Sequence, residues 1–433
     1  MKILNKTFCA LILALLPMVA AAQIDGEVIK PRSGKFLLQN ATVVTITQGV
    51  LNNTSVLVED GKIKEVGANI AADEAEIIDC SGKFIYPGMI DGGTKLGLVE
   101  VSSVAETVDY AEIGDFTPNM QALTAVNPNS VAIPVTRVSG VTTVLTVPSG
   151  GLFPGTAALI NLNGYTPDQM FAGFKGVVMN FPSSGRRGRY DRRSDEDIKK
   201  ASEKALKEAD KLWENAKNYS TLAANGAELE YYPEMEQLAK ATTGELPLLI
   251  EVNTASDIQA AIKWVEGKEA KVIFTGVAEG WRVAEAIAKA GIPVITGPIQ
   301  ALPTRESDRY DAAYANAGKM AKAGVKLAIR TDEQENVRNL PFFAAFAAAY
   351  GLGKEEAWKA VTINPAEIFG LADQYGSVEA GKTANLIVAD GDPFETKTNI
   401  LHVFIEGYRM PLSNRQVRLY QEFLERSPGL KMN

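Results

Sequence analysis

Transition-metal chemistry in proteins is built first on histidine, and this chain holds one, His402. Neutral imidazole is the commonest ligand for zinc and nickel, usually several to a catalytic site. A histidine-built metal centre cannot be assembled from this composition. His402 falls in His402-Val-Phe-Ile-Glu-Gly-Tyr408, which reads as a strand running into a turn at Glu406-Gly407, so it reads as an ordinary strand residue. Of the two cysteines, Cys9 sits in an apolar leader and Cys80 in a β-rich stretch, where a core role outweighs a reactive one. Pro148-Ser-Gly-Gly-Leu-Phe-Pro-Gly155 follows a strand but lacks the Gly-Lys-Ser/Thr ending of a phosphate-cradling loop, so it reads as a barrel-mouth loop. Ser183 to Arg193 packs five arginines into a Gly-containing loop. It reads as a solvated loop or as a lid that attracts an acidic ligand.

The chain of 433 residues suits one large domain and a smaller one. Met1–Ala22 has the form of a secretory signal peptide: Lys2 and Lys6, the apolar run Ala10–Leu16, and Ala20-Ala-Ala22 before Gln23. That places the mature protein in the periplasm or outside the cell. No later stretch is long and apolar enough to span a bilayer, so no membrane contact is expected after cleavage. The net charge of −8 argues against general nucleic-acid binding.

Residues 33–86 are rich in β-branched strands, with a hairpin about Asp60-Gly61 and a second hairpin expected over Ile77–Ile85. From Met89 onward short apolar runs alternate with helical segments. The strands are expected at Met89–Ile90, Val141–Val147, Gly176–Asn180, Leu246–Val252, Lys271–Thr275, Ile292–Thr296 and Val325–Thr331. Between them Asp195–Tyr219 reads as a solvated outer helix with an apolar stripe and a Glu203–Lys207 pair. Trp281–Lys289 reads as a helix ended by Gly291. This alternation predicts an α/β fold, a (β/α)8 TIM-like barrel over 87–374. A small composite β-sandwich from 33–86 plus 375–415 joins it, and 416–433 forms a C-terminal tail.

Four stretches carry a resemblance. Pro87-Gly-Met-Ile-Asp91 is similar to the motif that ends the first barrel strand of the amidohydrolase superfamily, where two histidines follow. Arg330-Thr-Asp332 resembles its strand-eight Ser/Thr-Asp. Asn364-Pro-Ala-Glu-Ile-Phe-Gly-Leu371 and Gly376-Ser-Val-Glu-Ala-Gly-Lys-Thr-Ala-Asn-Leu-Ile-Val388 resemble its closing helix and returning strand. Together they liken the chain to imidazolonepropionase-like amidohydrolases, metal-dependent hydrolases of C–N bonds other than linear peptide bonds. Carried over by this resemblance, the first histidine pair falls on Gly93 and Lys95. The bridging position falls near Val178–Asn180 with no ligand, the strand-five histidine on Glu251 and the strand-six histidine on Gly276. The strand-eight aspartate, ligand and general base in the family, is Asp332.

The candidate catalytic residues are thus Asp332, Lys95 and Glu251, with no metal ligand set and no cofactor. Lys95 is expected to stand in for the metal charge and pair with Asp332, Glu251 or both. Alternatively, with its pKa lowered by burial, it could act as base or nucleophile. Oxygen ligands alone would suit Mg, Ca or Mn rather than zinc. Three functions follow. One is a catalytically degenerate family member, a pseudoenzyme with a structural or regulatory role beside an intact paralogue, as homo- or hetero-oligomer. The second is an active hydrolase of cyclic amides or peptides through Lys95 and Asp332. The third is a periplasmic protein that binds a small-molecule ligand at the barrel mouth.

Overall fold

The structure, a computed structural model, describes residues 30–185 and 192–426. The expected signal peptide and most of the arginine-rich loop lie outside the described residues. Two eight-stranded sheets organise the chain. The first takes β1 (Phe36–Val44), β2 (Val50–Glu59), β3 (Lys62–Gly67), β4 (Glu76–Asp79) and β5 (Phe84–Pro87) from the N-terminal side. The barrel follows with β6 (Met89–Thr94), β7 (Val141–Thr146), β8 (Gly155–Asn161), β9 (Phe171–Asn180), β10 (Leu248–Val252), β11 (Val272–Gly276), β12 (Val294–Thr296) and β13 (Leu327–Ile329). The chain then returns to the first sheet with β14 (Leu386–Ala389), β15 (Ile400–Ile405) and β16 (Tyr408–Met410).

The first sheet is mixed, ordered β16-β15-β14-β5-β1-β2-β3, with β4 also on β1. Asp60 and Gly61 both have positive φ, as a tight hairpin turn between β2 and β3 requires. The second expected hairpin does not form. β4 and β5 both run parallel to β1, one after the other along it, so the turn at Ser81-Gly82 displaces the chain without reversing it. β14 joins the two units by period-two alternation. Leu386 and Val388 pack into the sheet core, while Ile387 and Ala389 pack into the barrel's outer core. Cys80 is buried in the sheet, and burial pushes its thiol up to about 11. His402 lies on β15 beside Arg409, away from the barrel, as a strand residue.

The barrel strands lie in sequence order from β6 to β13. They are parallel except β8, which runs antiparallel to both neighbours. β8 is the one barrel strand the sequence reading lacks. It follows the Pro148–Gly155 loop directly, so this βα unit is replaced by a hairpin. The same alternation sorts the side chains. Ile90, Leu145, Leu159, Val178, Leu249, Ile273, Ile295 and Ala328 form one apolar layer, one from each strand, with Phe369 and Tyr375 packed against it. Their neighbours Met89, Val144, Ile250, Phe274 and Leu327 face the outer helices with Trp213, Ile258 and Ile287. The apolar layer is therefore the barrel interior. Outside it, the helix Asp195–Ala224 starts at the Ser194 cap and buries Ile198, Leu212, Trp213 and Ala216. Within it Glu196 pairs with Lys200 and Glu208 with Lys211, while Glu203 and Lys207 form no ion pair with each other. The helix Ala284–Ala290 ends in left-handed Gly291. Among the described residues no helix is long and apolar enough to cross a membrane.

Candidate functional site

Alternation that sends Leu249, Ile273 and Ala328 into the barrel sends the residues two places on to the same side, one layer nearer the mouth. Those residues are Glu251, Thr275 and Arg330, and a further step reaches Asp332. The Arg330 guanidinium forks onto Glu251, Nη1 to Oε2 at 2.7 Å and Nη2 to Oε1 at 2.8 Å. Its Nη2 also lies 3.5 Å from Asp332 Oδ2, and its Nε donates to the Gly297 carbonyl. Thr275 Oγ1 donates to Glu251 Oε2 at 2.7 Å, and Asn253 Nδ2 donates to Oε1 at 3.0 Å. The Arg330 side chain is 6% exposed. Burial alone would raise the Glu251 pKa. The Arg330 charge and the hydrogen bonds from Arg330, Thr275 and Asn253 outweigh it and hold the carboxyl down at about 2. Burial likewise pulls Arg330 down, but Glu251 and Asp332 outweigh it and hold the guanidinium firmly charged. A second paired group stands nearby: buried Glu279 accepts from Arg305 Nη2 at 2.6 Å and from the Ala255 N–H at 2.8 Å.

Glycines clear the space for this pair. A Cβ on Gly93 would lie 3.2 Å from Arg330 Cδ, and one on Gly297 would lie 2.2 Å from the Arg330 carbonyl oxygen. A Cβ on Gly276, whose φ is +81°, would meet Asn253 Oδ1 at 2.4 Å and Glu251 Oε1 at 2.5 Å. At Gly93 and Gly276, two of the positions that the resemblance matches to histidines, the arginine and its partners occupy the space a side chain would need.

Lys95 does not take the part expected of it. Its Nζ donates to the Val147 carbonyl at 2.9 Å and stands 5.8 Å from the centre of the Tyr110 ring. No ion pair links it to either carboxylate among the described residues. Arg330 has taken that place because a planar fork can engage both Glu251 oxygens at once, whereas an ammonium is a single point of charge. Burial and the Arg330 charge lower the Lys95 pKa against the opposing pull of Asp332 and Glu251.

Backbone and side chain close the barrel beneath this layer. The Asp332 N–H donates to Gly93 O at 2.9 Å, and the Lys95 N–H donates to Glu333 O at 2.8 Å. Asp332 itself adopts a left-handed φ of 56°, a conformation uncommon outside glycine. Fully buried Asp91 accepts from the Gly93 N–H, the Thr331 N–H and Thr331 Oγ1, tying the ends of β6 and β13 together. Burial outweighs these bonds and pushes Asp91 up to about 7. Near the expected bridging position, Asn180 Nδ2 donates to the carbonyls of Gly150 and Gly151 and pins the Pro148–Gly155 loop at the mouth. Beside the Arg330–Glu251 pair a cavity of about 130 Å³ opens, bordered by Glu251, Arg330, Asp332, Trp281, Asn316 and Leu302.

The profile of the amidohydrolase family matches residues 132–410. The chain belongs to the amidohydrolase family. A solved amidohydrolase from Thermotoga maritima MSB8 is 29% identical, with a TM-score of 0.78 over 88% of this chain and all of that one. Molinate hydrolase superposes with a TM-score of 0.56 at 18% identity, over 88% of this chain and 95% of that chain, a likeness of fold alone. Two curated relatives share short segments. A dihydroorotase from Bacillus cytotoxicus is 40% identical over 60 residues, 14% of this chain and 12% of that protein. A 5-methylthioadenosine/S-adenosylhomocysteine deaminase from Pyrococcus furiosus is 34% identical over 77 residues, 18% of each. The chain spans less than a fifth of the length of these relatives.

The metal that this amidohydrolase barrel implies does not fit the residues present. Among the described residues no three His, Cys, Asp or Glu side chains converge as a ligand set. Glu251 already spends both oxygens on a cation and two neutral donors. Arg330 is the residue that sequence reasoning missed. The signal was its position: two residues after Ala328, it continues the inward face of β13 toward the mouth.

Proposed function

We propose that this amidohydrolase-family protein, of the imidazolonepropionase-like kind, has given up metal-dependent C–N hydrolysis and serves as the structural or regulatory partner of an intact relative, exported to the periplasm or beyond. The observation that carries this reading is the forked Arg330–Glu251 pair, seated in hollows that Gly93, Gly276 and Gly297 leave open. A metal-bound water has its pKa lowered to about 7 and supplies hydroxide at neutral pH. With its cationic neighbour a guanidinium, Asp332 has no such water to deprotonate. Hydrolysis by Lys95 and Asp332 together lacks support from the geometry, since the ammonium turns to Val147 O and forms no ion pair with Asp332. Capture of a small ligand keeps the support of the mouth cavity with its Trp281 wall.

Two measurements test the reading. Elemental analysis of the untagged mature chain, purified without chelator, is expected to find no stoichiometric transition metal. About one or two equivalents would overturn it. Co-expression with a histidine-replete relative is expected to give a complex that survives gel filtration, and separate elution of the two chains would remove the partner role.

A further inference from the structure

A second and larger cavity lies outside the barrel wall, toward the end opposite Arg330, between the helix Ala132–Arg137, residues 162–170 and residues 411–418. Its wall includes Leu162, whose N–H bonds to Thr142 O where β7 begins. The volume is about 490 Å³, within the range of small-molecule sites. Lys30, Arg137, Arg415 and Arg418 line it, and among the described residues no aspartate or glutamate does. None of the four makes an ion pair with a described carboxylate. Arg137 donates from Nη1 to Leu162 O, while its Nε is buried without a hydrogen-bond partner. Burial without a carboxylate pulls this guanidinium down to about 10.

The helix Arg415–Glu425 adds an independent sign. Asn414 caps it, accepting from the Val417 N–H at 3.0 Å. Its first turn carries Arg415 and Arg418 and no acidic residue. Three residues apart, the two arginines share a face, and both border the cavity. The N-terminal end of a helix is already positive, so cations there are unfavourable and anions favourable. Positive charge has been gathered where folding alone disfavours it. Ile133 and Met170 give the same cavity an apolar side.

We propose that this cavity is a binding site for a small organic polyanion, its phosphate or carboxylate groups held by the forks of Arg415 and Arg418 beside the charge of Arg137, and its apolar part laid against Ile133 and Met170. Guanidinium forks match phosphate and carboxylate alike, so the probes are inorganic pyrophosphate and citrate. Each is titrated calorimetrically into the mature chain at low ionic strength. Saturable binding of at least one is expected, at one site per chain, weakening as salt is added. The variant R415E/R418E, altered only at exposed positions, is expected to lose roughly tenfold or more in affinity while unfolding at the same temperature. Binding of pyrophosphate alone assigns a phosphate ligand, and binding of citrate alone a polycarboxylate. Absence of binding by both, or equal affinity in the variant, overturns the proposal. Neither result bears on the mouth, because Arg330 and Glu251 are untouched.

Discussion

At the mouth of the barrel Arg330 has two carboxylates within 3.5 Å. At the other end Lys30, Arg137, Arg415 and Arg418 gather around a cavity with no carboxylate in its wall among the described residues. The two regions use the same side chain to opposite ends. In the mouth, charge is balanced inside the protein, and Thr275 and Asn253 complete the hydrogen bonds of Glu251. A balanced buried pair costs its desolvation and demands nothing from outside. In the far cavity no described carboxylate balances the charge, and the proposed anion completes it. A family-level reading would look for function at the mouth, where barrel enzymes keep it. Here the charge-incomplete end is the one built to receive a ligand.

The largest test of this contrast removes one half of the balanced pair. Glu251→Ala leaves Arg330 buried without its main partner and is expected to cost about 3–5 kcal/mol in urea unfolding. Glu251→Leu with Arg330→Met should recover most of it, since a buried pair and a packed apolar pair are often of similar stability. A single-variant loss under about 1 kcal/mol would mean that the mouth charges are solvated and the contrast is false.

Next in size is the hollow itself. Gly276→Ala meets both a positive φ and oxygens of Asn253 and Glu251 closer than 3 Å. It should destabilise by about 2–4 kcal/mol. Gly291→Ala is the control: its φ is +67° and nothing lies within 4 Å of the added carbon. It should cost only about 1 kcal/mol, the backbone part alone. Equal losses in thermal unfolding would show that Glu251 and Asn253 yield easily and that the cradle is not shaped to them.

The pH dependence separates the buried carboxyls. Asp91 is raised in the folded state, to about 7 from a usual 3.8. Folded protein then holds a proton that unfolded protein has released. Its contribution is fully present below about 4 and is lost as pH rises to about 7. Glu251 is lowered to about 2, so its contribution is present above about 4.5 and is lost as pH falls toward 2. Stability measured from pH 5 to 8 should therefore decline with rising pH, and Asp91→Asn should flatten that decline. An unchanged slope in the variant would assign the titration elsewhere.

The legible and illegible parts divide along the same physical line. Pro87-Gly-Met-Ile-Asp91 and Thr331-Asp332 mark strand ends whose backbone and hydrogen bonds close the barrel, so their pattern is set by the fold whatever the chemistry of the mouth. The helix stop at Gly291 and the turn at Asp60-Gly61 are local, and local conformational preference suffices to read them. β8 was hidden because Gly155-Thr-Ala-Ala-Leu-Ile160 follows a Gly/Pro-rich loop where a βα alternation leads one to expect a helix. The parallel placement of β4 and β5 depends on β1, more than thirty residues earlier, and no local signal encodes it. Arg330 was overlooked because a reading by ligand positions asks which residue replaces a histidine. Arg330 instead reaches from the end of β13 into the space beside Gly93 and Gly297.

The smallest effect sharpens the comparison most. R415E/R418E should leave stability unchanged or raise it by a few tenths of a kcal/mol, because glutamates suit the first turn of a helix better than arginines do. Thermal unfolding in the absence of added anion checks this. Stabilising contacts and functional ones are then told apart by sign: losing Glu251 at the mouth weakens the fold, whereas reversing two charges at the far end spares the fold and removes binding. Marked destabilisation by R415E/R418E would instead tie both arginines into packing or into carboxylates outside the described residues. The far cavity would then be as balanced as the mouth.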